Sequence, residues 1–163
     1  MSKLLSVITV LLVVCLFTSA VGKNTLPGEG LAAGDRAPRF ALSDVCSDSL
    51  RGQKVLITFW AAYDAESRAS NALLAAHLRN QHADIRLVGI DFDASTTIFE
   101  ETVRLDRLDP CTQHHVRDAE ARELYKTFRL EKGFGNLLLD ERGVIIAKNL
   151  DPERLSKLLT AKM

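Results

Sequence analysis

The stretch Val55–Ser67, VLITFWAAYDAES, does most to limit what this chain can become. A run of β-branched and apolar residues ends in Phe59–Trp60, small residues follow, and Asp64 then opens a helical pattern. An apolar run without polar alternation specifies a strand covered on both faces. Asp64 is a good N-cap, because its carboxylate can take amide protons that the first helical turn leaves unpaired. A buried strand that delivers a helix N-terminus at its carboxyl end is a site-building device of α/β folds.

The flanking segments supply the rest of a sheet. Alternation over Arg39–Ser43 predicts a short strand entered at Pro38, and polar residues 44–52, with Cys46, lead to a turn. From Asp64 to about Gln81, Ala69, Leu73, Ala76 and Leu78 recur at helical spacing. Ile85–Phe92 is near-continuously apolar, as suits a second parallel strand. Ser95 or Thr96 caps a helix carrying Ile98, Phe99, Val103 and Leu105, and Pro110 closes that segment. Gln113–Arg117 reads as a short strand and Asp118–Leu130 as a helix with Ala121, Leu124, Tyr125 and Phe128 on one stripe. Asn136–Leu139 and Val144–Ala147 are hairpin strands around the turn Asp140–Gly143, and Pro152 stands at the first position of a last helix to about Thr160. This order predicts an α/β fold in three layers: a mixed central sheet with helices on both faces.

At 163 residues and zero formal net charge, the chain fits one domain and offers no footprint for nucleic acid. Lys3, an apolar run from Leu4 to Phe17 and small residues up to Gly22 form the pattern of a secretory signal peptide over 1–22. The competing reading is an uncleaved anchor, since the run is almost long enough to span a bilayer. Val14 precedes Cys15 where a lipidation site has a small residue, so lipidation is not expected. Residues 23–33, with Pro27, Gly28 and Gly30, are predicted to be a linker, and 34–163 the domain. Export places the protein in a secreted or periplasmic compartment and leaves Cys46 and Cys111, an even pair that an oxidising compartment permits to bridge. Two separate buried thiols fit the same sequence.

Four stretches together resemble the thioredoxin-like proteins of the exported TlpA/ResA-like group, within the AhpC/TSA and redoxin superfamily. They are Gly34-Asp-Arg-Ala-Pro38-Arg-Phe40-Ala-Leu42, Leu50-Arg-Gly52 through Phe59-Trp60-Ala61, Asn136-Leu-Leu-Leu-Asp140-Glu-Arg-Gly143, and Leu150-Asp-Pro-Glu-Arg-Leu155. The resemblance covers roughly Gly34 to Leu159 and implies a thioredoxin-like sandwich. It also implies a redox motif F-W-A-x-W-C-x-x-C-R, and here the chain departs. Phe59-Trp60-Ala61-Ala62-Tyr63 leads to Asp64 at the attacking cysteine and Ser67 at the resolving one. Phe134 aligns with the family's cis-proline, and no proline lies between Pro110 and Pro152 in any register. A trans peptide is therefore expected there, because a non-proline cis bond costs about 3 kcal/mol.

Thiol–disulfide exchange needs an attacking thiolate and a resolving thiol. With Asp64 and Ser67 in those places, no catalytic residue is expected at this site. Asp64 and Glu66 as an acid/base pair or cation site compete with a plain cap in a favourable helix dipole, and the cap is the simpler account. Ser67 lacks the glycine pattern of a nucleophile elbow. His114 and His115 are adjacent on a strand and so face opposite ways, while His77 and His82 read as solvated. No metal and no cofactor are expected. The leading expectation is a non-redox binding or structural module of the cell envelope. Trp60, Tyr63 and Phe134 are its candidate contacts for an unknown envelope protein or peptide. Membrane attachment would come only through the N-terminal run. The alternative is an atypical thiol-disulfide oxidoreductase or peroxidase using Cys46 or Cys111.

Overall fold

The structure, a computed structural model, describes residues 27–42, 45–81 and 83–160. The expected signal segment 1–22 lies outside these residues. Five strands form one mixed sheet: β1 Lys54–Trp60, β2 Ile85–Asp91, β3 Gln113–His115, β4 Asn136–Leu139 and β5 Ile145–Lys148. Their spatial order is β3-β2-β1-β4-β5. β1 pairs in parallel with β2, β2 in parallel with β3, and β4 runs antiparallel to both β1 and β5.

The central place of β1 follows from its composition. Val55, Ile57 and Phe59 pack on one face with Phe40, Leu42, Leu124 and Phe128. Leu56 and Trp60 pack on the other with residues of three helices, α1 Ala65–Gln81, α2 Thr96–Leu105 and α4 Pro152–Thr160. The two parallel crossovers carry the chain in the same direction away from β1, so α1 and α2 share a face. The return from β3 to β4 lays α3, Asp118–Thr127, on the opposite face. The expected layers and mixed sheet are those observed.

The N-terminal segment departs from expectation twice. Residues 27–33 are docked rather than a free linker: Gly30 N and Arg36 N bond back across a turn to Arg36 O and Gly28 O, Leu31 packs on the core, and Lys148 Nζ donates to Leu31 O at 2.7 Å. Gly34 and Asp35 then exchange backbone bonds with Ile145 at 2.8 Å, which covers the outer edge of β5. Over the described part of the expected strand, residues 39–42, no strand forms. Phe40 and Leu42 are buried as the alternation requires, but the backbone folds on itself, with Leu42 N bonded to Val45 O and Ser47 N to Phe40 O. The alternation is satisfied by lying on the core face without a strand partner beyond the bridge from Ala41 to Cys46. Among the described residues, no helix is long and apolar enough to cross a membrane.

Candidate functional site

The turn from β1 into α1 is built by its own short polar side chains. Asp64 N bonds to Ala61 O, and Asp64 Oδ1 accepts the Ser67 amide proton at 2.9 Å. The Ser67 hydroxyl donates to Asp64 O at 3.2 Å and accepts from Ala61 N at 3.4 Å. Ser67 is buried, and its hydroxyl is committed to the turn as both donor and acceptor. Arg68 binds Asp106 through two bonds of 2.7 Å and fixes the start of α1 against the end of α2.

Facing this turn is Gly133-Phe134-Gly135, which enters β4. Its peptides are trans, as are all those described. Gly133 sits at φ 110, and a Cβ on Gly135 would stand 2.5 Å from Asn149 Oδ1, so both glycines are needed for the loop to take this path. Gly135 O accepts from Phe59 N at 2.9 Å. Among the described residues, the amide and carbonyl of Phe134 enter no backbone hydrogen bond, and Phe134 is half-buried. The Phe134 ring lies 6.3 Å from Tyr63, 5.4 Å from Phe92 and 6.5 Å from Tyr125. Tyr63 is 72% exposed and Tyr125 exposed as well, so two of these four rings face water.

Trp60 is not part of this face. It is 0% exposed and packs beneath the sheet on Phe99, Val103 and Leu108. Alternation sends residue 60 to the α2 side, and the chain reaches the surface only after the turn, at Tyr63. Of the three candidate contacts, the structure brings Tyr63 and Phe134 together and separates Trp60.

Between the start of α1, the 133–135 loop and the end of β5 lies an open groove of about 970 Å³. Thr58, Ser67, Asn71, Gly135 and Asn136 are among its walls. Two of these, Thr58 and Asn71, belong to a buried hydrogen-bond chain that runs from Thr58 Oγ1 to Asn71 Oδ1 at 2.7 Å and from Asn71 Nδ2 to Gln113 Oε1 at 3.0 Å. Asn136 bonds Leu150 in both directions, at 2.8 and 2.9 Å, and anchors the loop's exit.

Sequence reasoning missed a second polar cluster. Trp60, Asp91 and His115 are direct partners across β1, β2 and β3 and project from one face of the sheet. Asp91 Oδ2 lies 2.7 Å from His115 Nδ1 and accepts from Asp93 N at 3.3 Å, and Asp93 Oδ2 accepts from Ala62 N at 2.8 Å. Burial pushes Asp91 up to about 8, and the neighbouring Asp93 carboxylate adds to the rise. Burial also lowers His115, with Arg117 adding to the fall. Tyr63 is raised, first by burial and then by Asp93. The signal is in the row IDFD, whose first aspartate ends a strand in which, after Arg86, no other residue is polar.

Cys46 and Cys111 are both exposed and free, separate thiols as one of the two readings had them, but not buried. Cys46 precedes a turn that lies against the β4–β5 hairpin, whereas Cys111 leads into β3 at the other edge of the sheet. Bonds from Ser49 hold the Cys46 thiol below its ordinary range. Among the described residues, no group of three His, Cys, Asp or Glu is placed to hold a metal ion.

No family model matches the chain, and no curated protein matches it. Solved structures do. A thioredoxin-like protein from Parabacteroides distasonis is 43% identical, with 81% of this chain and 97% of that chain covered and a TM-score of 0.73. The thioredoxin domain of a thiol-disulfide oxidoreductase from Bacteroides vulgatus shares the fold at 18% identity, covering 80% and 99%, with a TM-score of 0.68. StoA from Bacillus subtilis shares it at 18% identity, covering 66% and 82%, with a TM-score of 0.53.

Proposed function

The chain belongs to the thioredoxin-like family, and we propose that it serves there as an exported binding module without thiol chemistry. The observation that carries this reading is the bond from Ser67 N to Asp64 Oδ1. The two positions that would hold a nucleophile and its resolving partner hold a helix cap, and neither residue can exchange with a disulfide. What remains at the site is a surface. Tyr63, Phe134 and Tyr125 form an aromatic face beside the groove, and the free amide and carbonyl of Phe134 can pair with one residue of an extended chain. The occupant that fits is an extended peptide of an envelope protein, lying along Phe134 with an apolar side chain against the rings. Export rests on the pattern of residues 1–22.

Two measurements test this. The wild-type protein should reduce no model disulfide, whereas the double variant Asp64→Cys, Ser67→Cys should gain reductase activity on the same scaffold. A screen of unstructured peptides should yield binders that Tyr63→Ala releases. A second reading, a thiol enzyme, is favoured by the exposed and acidified Cys46. It predicts wild-type reductase or peroxidase activity that Cys46→Ser or Cys111→Ser abolishes, and that result would displace the binding module.

A further inference from the structure

The buried row beneath the Tyr63 turn has a place in neither reading. Asp91 is 0% exposed, and three of its row's atoms, Trp60 Nε1, Asp91 Oδ1 and His115 Nε2, are buried with no partner among the described residues. Phe99 stacks on the His115 ring at 5.2 Å and closes the row from α2. No cation bonds to Asp91 or Asp93 among the described residues: Arg68 on α1 is held by Asp106, and Arg117 reaches His115 only through space. The other charged or titratable groups around the cluster are Asp64 and Tyr63 after β1, Glu100 on α2 and Tyr125 on α3. A row so enclosed favours zero net charge, so Asp91 and His115 must share one acid proton between them.

We infer that Asp91 and His115 form a one-proton pair that sets the posture of the Tyr63 turn, through Asp93 and the Ala62 amide. With the proton in place, the pair is neutral and Asp93 can sit beside it and hold Ala62 N. When the proton leaves to solvent, a buried negative charge faces the Asp93 carboxylate. Repulsion then drives Asp93 away and loosens its bond to Ala62, the residue before Tyr63. Asp91 and His115 are positioning residues here. The inference concerns the free protein and holds whether or not a peptide is the occupant.

The test follows three reporters by NMR and fluorescence from about pH 5.5 to about pH 9.5, a range that brackets an ordinary histidine and the alkaline side of neutrality. They are the His115 ring, the Ala62 amide, and the emission of Trp60, the one tryptophan of the chain. All three should show one shared inflection above pH 7 in the wild type. Asp91→Asn should abolish the alkaline inflection at Ala62 and Trp60. Asp93→Asn should keep the His115 inflection and lose the one at Ala62. A flat Ala62 amide in the wild type overturns the inference, as does an Ala62 inflection that survives either substitution. Should a variant not fold, coincidence or disagreement of the three wild-type curves decides alone.

Discussion

Asp64 and Ser67 hold one another, through the bond from Ser67 N to Asp64 Oδ1 at 2.9 Å and its return from the Ser67 hydroxyl to Asp64 O. A cap of this kind contributes about 1 kcal/mol, and glycine or asparagine recovers most of it. Asp64→Ala should lower the unfolding free energy in urea by about that amount, and Asp64→Asn by only a few tenths. A cost of several kcal/mol would assign Asp64 a role beyond capping.

Tyr63 and Phe134 touch at 6.3 Å but differ in what they support. Tyr63 is exposed, so Tyr63→Ala should leave stability within about 0.5 kcal/mol while weakening a bound peptide about tenfold, or ~1.4 kcal/mol. Phe134 also packs on Phe92, so Phe134→Ala should weaken binding and cost about 1–2 kcal/mol of stability. Isothermal calorimetry and urea titration separate the two effects.

How far the sequence reveals this site depends on which face a strand residue meets. Val55–Trp60 is apolar except at Thr58 because both faces are covered, and that near-uniformity hides which side each residue takes. The sequence therefore groups Trp60 with Tyr63, although Trp60 lies below the sheet. The cap at Asp64, the hairpin around Asp140 and the N1 proline of the last helix were legible because each is a local hydrogen-bond or φ preference. Asp91 with His115, and the docking of Leu31 onto the core, join residues far apart in the chain, so that even where IDFD marks Asp91 no local pattern names its partner.

Asn136 ties the β4 entry to Leu150 through both its amide hydrogen and its carbonyl oxygen. Leu150 is buried, so Asn136→Ala leaves a backbone N–H and a C=O unpaired away from water. The expected cost is about 2–3 kcal/mol, read as a lower urea midpoint at unchanged slope.

Cys46 and Cys111 lie exposed on opposite sides of the sheet. Both should react with an aromatic disulfide reagent in the native protein without prior reduction. Cys46 should react first, since its Ser49 bonds favour the thiolate. Thiols that appear only after reduction would restore the bridge between them.

The Asp91–His115 pair also predicts how stability depends on pH. In the unfolded chain the two groups titrate near their ordinary values, about 3.9 and about 6.5. In the folded protein Asp91 is raised to about 8 and His115 lowered. Just below about pH 6.5, while His115 stays neutral in the folded protein, both states carry the same number of protons on the two groups, one as a neutral pair and the other as separated ions, so their contribution is flat. From about 6.5 to about 8 the folded state holds one proton more, and stability must fall as pH rises through that window. The loss is about 1.5 pH units at ~1.4 kcal/mol each, or about 2 kcal/mol. Asp91→Asn should remove the decline between 6.5 and 8, since neither state then binds the extra proton. Urea unfolding of both proteins across that window provides the measurement, and parallel curves for the two would show that the pair does not hold the proton.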